Sequence, residues 1–405
     1  MLGLVTWTVR MTSASRTGKL KLKEVRSMEM RWKVGSRGLD ENRAAVAVAA
    51  AAPTRAELQL QPPFPFPLLL TLLSLLLIEP SRWNCSSAAF TLVVTGLVFA
   101  ALSGHCHGQL QAGFYLGKCG YNDVEGIVKG IVKSWYKNDT TITAALLRMQ
   151  FHDCFVKGCD ASILLDGNDT EKTAIPNLSV RGYDLIDAIK ATLEKACPQV
   201  VSCADIIVMA TRDAVSLSGG TPYMVQTGRR DGRVSLASNV DLPSPKISVV
   251  DSVTAFAKKG LNTVDMVYLL GGHTVGIAHC SVFKDRLYNF DNTGRPDPSM
   301  NLGLLFFLRL KCPKDSTFDN TANLDQSTPA RVDNYYYQQL LLRNGVLQFD
   351  QQMALDSLTR DTVKALAWRT DFGTKFGAAM VKLGAVDVLT GSYGEIRKSC
   401  RLVNT

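Results

Sequence analysis

Ten cysteines punctuate this 405-residue chain, and eight of them lie beyond its last long apolar stretch: Cys119, Cys154, Cys159, Cys197, Cys203, Cys280, Cys312 and Cys400. An even set behind an apolar leader reads as a disulfide framework closed in an oxidising compartment, which limits the folds open to the chain. Eight unrelated buried thiols are the plain alternative. Spacing alone does not pair them, because eight cysteines allow on the order of a hundred connectivities. Nor does it suggest zinc, since no C-x-x-C pair is followed by His or Cys partners.

The other two cysteines, Cys85 and Cys106, fall in an N-terminal segment unlike the rest. Residues 1–60 carry basic clusters and an alanine-rich stretch, Ala44 to Ala52, without a sustained amphipathic pattern. Two apolar runs follow, Leu68–Ile78 and Ala88–Leu102. Each is short of the roughly 20 residues needed to cross a bilayer and resembles a signal-peptide core. The second is the better candidate, because small residues after it, Ser103-Gly104, suit cleavage before Gln109. Residues 1–108 are therefore expected to be a leader absent from the mature protein. A start near Met28 or Met30, or a gene-model extension over residues 1–87, would account for the upstream stretch. A membrane anchor or organelle-targeting segment is the competing reading.

The formal charge of +9 argues less for nucleic acid than it first suggests. Twelve of the 45 basic residues but only six of the 36 acidic ones lie in residues 1–108, so the remainder is nearly balanced. No basic cluster marks a nucleic-acid surface there, and none is expected to bind.

From Gln109 onward the pattern is mainly helical, with Gly, Pro, Asn and Asp turns and no internal repeat. Thr140–Phe151 is strongly apolar and free of breakers, and helices are also expected over Val180–Ala196, Ser202–Leu217, Ser248–Lys259, Thr263–Leu270 and Thr359–Lys382. Gly219–Pro222 and Leu242–Pro245 read as turns.

Five histidines occur, and His105 and His107 lie in the leader. His152 closes the apolar helix four residues after Arg148, so the two share a face. A neutral imidazole can accept a proton from one peroxide oxygen while a guanidinium stabilises charge developing along the O–O bond. Such a pair is more often a surface or capping contact. His273 has apolar flanks and follows Gly271-Gly272, which suits a close approach by something large, although a satisfied core histidine is the commoner case. His279 reads as structural or surface.

Arg148-Met149-Gln150-Phe151-His152-Asp153-Cys154-Phe155-Val156-Lys157-Gly158-Cys159-Asp160-Ala161-Ser162 resembles the distal signature of class III secretory plant peroxidases. Leu270-Gly271-Gly272-His273-Thr274-Val275-Gly276 resembles their proximal haem-ligand signature. The two stand in the family's order and separation. Val201–Asp205, Gly228–Asp231, Leu324–Asp333 and Leu389–Gly391 extend the resemblance over residues 109–405.

The resemblance implies a mainly α haem peroxidase fold, with distal and proximal helical halves enclosing one haem b and little β structure. It implies His273 as axial ligand and Asp350, in Gly345–Gln351, as the carboxylate behind it, with Phe349 where the family commonly has Ser. It implies His152 as general base, Arg148 as the group assisting O–O heterolysis, and Asn177 as the residue orienting His152. Two Ca²⁺ ions are implied. One set comprises Asp153, Val156, Gly158, Asp160, Ser162 and Glu171, the last through water; the other comprises Thr274, Asp325, Thr328, Arg331 and Asp333. Without the resemblance the first loop would read as a solvated turn. The implied bridges are Cys119–Cys197, Cys154–Cys159, Cys203–Cys400 and Cys280–Cys312. Leu324 stands where the intracellular class can carry a Trp.

The resemblance further implies small phenolic donors, bound near Ile175, Pro243, Ser244, Pro245 and Val282, with H₂O₂ as co-substrate. A monomer without stable membrane insertion is expected, secreted to the apoplast or cell wall or sent to the vacuole. Asn138 and Asn168 are better surface sequons than Asn177. Two rivals remain: a haem- and calcium-binding wall protein whose turnover is incidental, and a hydrolase using His152 and Asp153. No nucleophile elbow supports the second.

Overall fold

A computed structural model describes residues 110–405. The leader reading, with Cys85, Cys106, His105 and His107, lies outside the described residues. Twelve α-helices and one two-stranded antiparallel sheet follow. The helices are α1 (Val124–Asn138), α2 (Ile142–Val156), α3 (Tyr183–Ala196), α4 (Cys203–Leu217), α5 (Val249–Lys258) and α6 (Thr263–Leu270). After strand β1 (Ile277–His279) come α7 (Cys280–Tyr288) and α8 (Leu302–Lys311), then β2 (Thr321–Asn323). The chain ends in α9 (Tyr335–Leu341), α10 (Gln348–Leu355), α11 (Arg360–Trp368) and α12 (Phe372–Leu383). Strand register pairs Ile277 with Asn323 and His279 with Thr321. Helices thus dominate and β structure is minor, as the resemblance implies.

Three apolar cores hold the helices, the smallest of them around α7 and α8, where Phe283, Leu287, Leu305 and Leu308 meet. Val128, Val132, Leu185, Ile189, Ile206 and Met209 hold α1, α3 and α4 together. Val267, Tyr337, Phe349, Leu366 and Phe376 hold the later helices. Helix α2 belongs to the two larger cores: Leu146 and Met149 enter the first, Leu147 and Phe155 the second. A helix buried on nearly every side must be apolar nearly all round. That explains why this segment reads so uniformly hydrophobic, and why its few polar side chains stand out.

Helix starts follow the sequence closely where a short polar side chain caps them. Ser202 accepts from the Asp205 N–H at 3.1 Å, Ser248 from Asp251 at 3.1 Å, and Asn262 forms a capping box with Asp265. Two expectations need correcting. The helix expected over Thr140–Phe151 runs on to Val156, so His152 sits inside it. The single helix expected over Thr359–Lys382 is two, because Arg369 is extended and Asn334 takes the carbonyls of Leu366, Ala367 and Arg369. Helices α1 and α7–α10 were not anticipated.

All four implied disulfides are formed, spanning 78, 5, 197 and 32 residues. Buried ion pairs tie distant segments together as well. Asp205 receives Arg229 and the Tyr115 hydroxyl, each at 2.7 Å, and Arg286 meets Asp297 at 2.8 Å. Gly158 has φ +104° and closes against the Asp387 backbone, where a Cβ would collide; only glycine completes the Cys154–Cys159 loop. Among the described residues, no helix is long and apolar enough to cross a membrane.

Candidate active site

On α2, Arg148 and His152 share the one polar stripe. The Arg148 Nε donates to His152 Nε2 at 3.3 Å. His152 Nδ1 lies 2.6 Å from the Asn177 Oδ1, and Asn177 is itself held by donating to the Glu171 carbonyl at 2.8 Å. The network therefore assigns the proton to Nδ1 and leaves Nε2 as the accepting nitrogen. Burial, reinforced by the Arg148 charge and opposed by Asn177, brings the His152 pKa down to about 4. At neutral pH the ring is an uncharged base. Arg148 is pinned in place by the Ser179 hydroxyl at 3.0 Å and the Pro176 carbonyl at 2.8 Å. Sequence reasoning missed both anchors, though Ser179 lies only two residues beyond Asn177.

His273 lies in a 3₁₀ turn, Gly271–Thr274, directly after α6. Its Nδ1 faces both oxygens of Asp350, at 3.0 and 3.1 Å. Burial would lower the His273 pKa, but the Asp350 charge and hydrogen bond outweigh it and hold the pKa above the usual value. Arg148 acts in the lowering sense, and α2 packs against the turn that bears His273. The paired glycines prove to serve different ends. A Cβ on Gly271 would stand 2.5 Å from the Tyr337 hydroxyl and 2.6 Å from Phe372, whereas Gly272 has room. The Asp350 side chain is 1% exposed and that of His273 35%, and the ring's Nε2 makes no hydrogen bond. One nitrogen anchored to a buried carboxylate and the other free is the arrangement an axial haem ligand requires.

Both loops implied to hold calcium contain oxygens without partners. Asp153 Oδ1, the Ser162 hydroxyl and both Glu171 oxygens are buried and unpaired. Burial, then the charges of Asp160 and Glu171, pushes the Asp153 pKa well up, and burial leads in pushing Glu171 to about 7. Protein groups alone leave these carboxylates poorly compensated, and a hard cation would suit them. Not every donor is free: the Val156 carbonyl accepts from Lys259 Nζ at 3.0 Å, and the Gly158 carbonyl accepts from the Asp160 N–H at 2.9 Å. In the second loop, the Thr274 hydroxyl is ringed by Asp325, the Arg331 carbonyl and Asp333 at 3.2–3.5 Å. Thr328 bonds the same two carboxylates, and Asp333 Oδ2 accepts no hydrogen bond, with the Arg331 Nε 3.6 Å away. Among the described residues, no three His, Cys, Asp or Glu side chains converge on their own as metal ligands. Both loops would need their hydroxyl and carbonyl oxygens.

The expected donor residues are only partly brought together. Ile175 is exposed and precedes the Pro176 carbonyl that holds Arg148. Pro245 accepts from the Phe349 N–H at 3.1 Å, which sets the Pro243-Ser244-Pro245 loop beside the helix of Asp350. Val282 is half-buried against the core around α7 and α8. His279 is exposed on β1, as expected.

Comparison with known proteins agrees with this geometry. Residues 128–368 match the family described as Peroxidase. The chain is 54% identical to Peroxidase 57 of Arabidopsis thaliana over 73% of its own length and 93% of that protein. It is 50% identical to Peroxidase 60 of Arabidopsis thaliana, over 77% and 96%. It is 44% identical to Peroxidase N1 of Nicotiana tabacum, over 73% and 90%. With His152 and His273 each fixed at Nδ1 by its own partner, and with relatives of this kind across most of the described residues, the chain belongs to the peroxidase family, in its class III plant branch.

Proposed function

We propose that this peroxidase reduces H₂O₂ to water while oxidising small phenolic donors one electron at a time, with one haem b and two Ca²⁺ per chain. Haem, held at His273, supplies the redox chemistry. The protein's own groups handle protons and charge. His152 Nε2 takes the proton from one peroxide oxygen and returns it to the other, so that water can leave. Asn177 keeps Nδ1 protonated and Nε2 available during that exchange. Arg148 sets a fixed positive charge where the departing oxygen becomes negative, with no reorganisation at the moment of cleavage. Asp350 increases the basicity of the His273 ring through Nδ1.

Asp153, Val156, Gly158, Asp160, Ser162 and Glu171 would hold one calcium ion, and Thr274, Asp325, Thr328, Arg331 and Asp333 the other. Each set includes the residue that follows a working histidine. The unpaired buried oxygens support this reading. Ile175, Pro243, Ser244, Pro245 and Val282 would border the donor cleft, an apolar rim without a charged clamp. Four disulfides favour an oxidising destination, the apoplast, cell wall or vacuole. Exposed Asn138 and Asn168 would carry glycans, while buried Asn177 would not.

The observation that carries the proposal is the Asn177–His152–Arg148 network on a helix packed against the turn of the Asp350–His273 pair. Protein purified from Gln109 onward should show a Soret band and oxidise guaiacol with H₂O₂. His152→Ala should keep the band and lose on the order of 10²–10⁴ in turnover. Failure to take up porphyrin, or undiminished turnover in the variant, would overturn the proposal.

A further inference from the structure

Helix α8 turns an apolar face outward. Leu304, Leu305 and Leu308 bury its inner side in the core it shares with α7. On the opposite side Leu302 is 79% exposed, Phe306 and Leu310 are 67% exposed each, and Phe307 is exposed as well. Steps of four and five residues keep these side chains on one stripe. Asn301, the N-cap of α8, donates its backbone N–H to the Arg343 carbonyl at 2.8 Å, which sets exposed Leu342 beside the start of that stripe. Single exposed leucines are ordinary, whereas five large apolar side chains gathered on one face mark a contact surface. Among the described residues nothing covers them.

The border of this face is basic. Arg343 is exposed at the end where Leu342 joins it, and Lys311 and Lys314 at the other. The Lys311 Nζ stands 5.4 Å from the centre of the Phe307 ring, at the edge of the stripe. From Asn301 to Lys314 the sequence contains no Asp or Glu. Asp315 follows in the loop, and Asp319 beyond it accepts from the N–H and the hydroxyl of Ser281 at 2.8 and 2.7 Å. A second copy of the chain fits such a face badly. Two-fold pairing of α8 sets cation against cation whether the helices run parallel or antiparallel. A bilayer with anionic headgroups fits it well, because Leu and Phe can enter the acyl boundary while Lys and Arg meet the headgroups.

We propose that α8 docks the enzyme reversibly on anionic lipid membranes, lying in the plane of the interface with Leu302, Phe306 and Leu310 inserted. Its 10 residues are too few to span a bilayer and suit a helix that lies along one. Docking goes beyond the peroxidase reading and does not rest on it.

The test floats the holoenzyme with vesicles of phosphatidylcholine, alone or with about a quarter phosphatidylserine, and reads the bound fraction on a gel. Partition onto the anionic vesicles is expected to exceed that onto neutral ones by about tenfold or more, and salt raised from about 0.1 M to about 1 M should remove most of the difference. Phe306→Gln with Leu310→Gln alters only exposed side chains, so the Soret band and guaiacol turnover should persist while partition falls about tenfold or more. Replacing Lys311, Lys314 and Arg343 by Gln should cost about fivefold per charge on anionic vesicles and little on neutral ones. No preference for anionic vesicles, or unchanged partition in both variants, would overturn the proposal. So would a dimer in sedimentation that Phe306→Gln with Leu310→Gln dissociates, since a second copy would then be the occupant. Vesicle binding by a protein that oxidised no guaiacol would support docking and count against the peroxidase reading alone.

Discussion

A histidine serves as a base at neutral pH only while it is uncharged, and two effects of the same sign keep His152 so. Burial removes the water that would solvate an imidazolium, and Arg148 repels it; the Asn177 bond opposes both and loses. With a pKa of about 4, the working form is the neutral ring, populated above that value. The rate of reaction with H₂O₂ is therefore expected to be flat from neutral pH down to about pH 5 and to fall about tenfold per unit below about pH 4. Stopped-flow kinetics across that range is the check, and a break near pH 6.5 would contradict it. A cation bound at Asp153 would only lower the break. The folding consequence has a definite sign: the unfolded ring protonates first, so this contribution to stability is whole above about pH 6.5 and fades as pH falls toward 4. On the other side of the site, Asp350→Asn is expected to leave porphyrin bound but cost about 10–100-fold in turnover, because the amide withdraws less proton density from Nδ1. Steady-state kinetics with a Soret spectrum separates that result from simple loss of haem.

At the scale of elements, α2 links chemistry to packing. Its apolar sides join two cores, and its polar stripe carries Arg148 and His152. Its C-terminal turn runs straight into the loop where Asp153, Asp160 and Glu171 crowd buried charge together. An ion there would relieve that crowding and stiffen the backbone on which His152 stands. Chelation should thus lower the melting temperature by several degrees and reduce turnover, with both restored by added Ca²⁺. Differential scanning calorimetry and a guaiacol assay on the stripped protein decide it; no change in either would remove calcium from the account. Elements also mark where local rules stopped working. Caps at Ser202, Ser248 and Asn262 made their helices legible. The break between α11 and α12 was not, because it is imposed by Asn334, a residue some 30 positions earlier.

For the molecule as a whole, the covalent frame is the strongest long-range constraint. Cys203–Cys400 spans 197 residues and ties the start of α4 to the chain's end. Arg397 works beside it, donating to the carbonyls of Cys400, Asp160 and Ala161. Replacing Cys203 and Cys400 together by Ala is expected to cost about 2–5 kcal/mol, read as a lower urea midpoint. The charge count meanwhile leaves residues 109–405 almost neutral, which fits uncharged peroxide and phenols better than polyanions.

From the sequence alone came the helical class, the framework of eight cysteines, the i,i+4 pairing of Arg148 with His152, and, through resemblance, every bridge and each partner of the two histidines. These were legible because they depend on short spacings and on side-chain chemistry carried by the residues themselves. Folding alone decided the rest. It chose Ser179 and the Pro176 carbonyl to aim Arg148, and it set the Tyr336 ring edge-on to His273. The low pKa of His152 was likewise its doing. Each depends on groups far apart in the chain coming within a few ångströms in a place water does not reach, and neither periodicity nor composition records that.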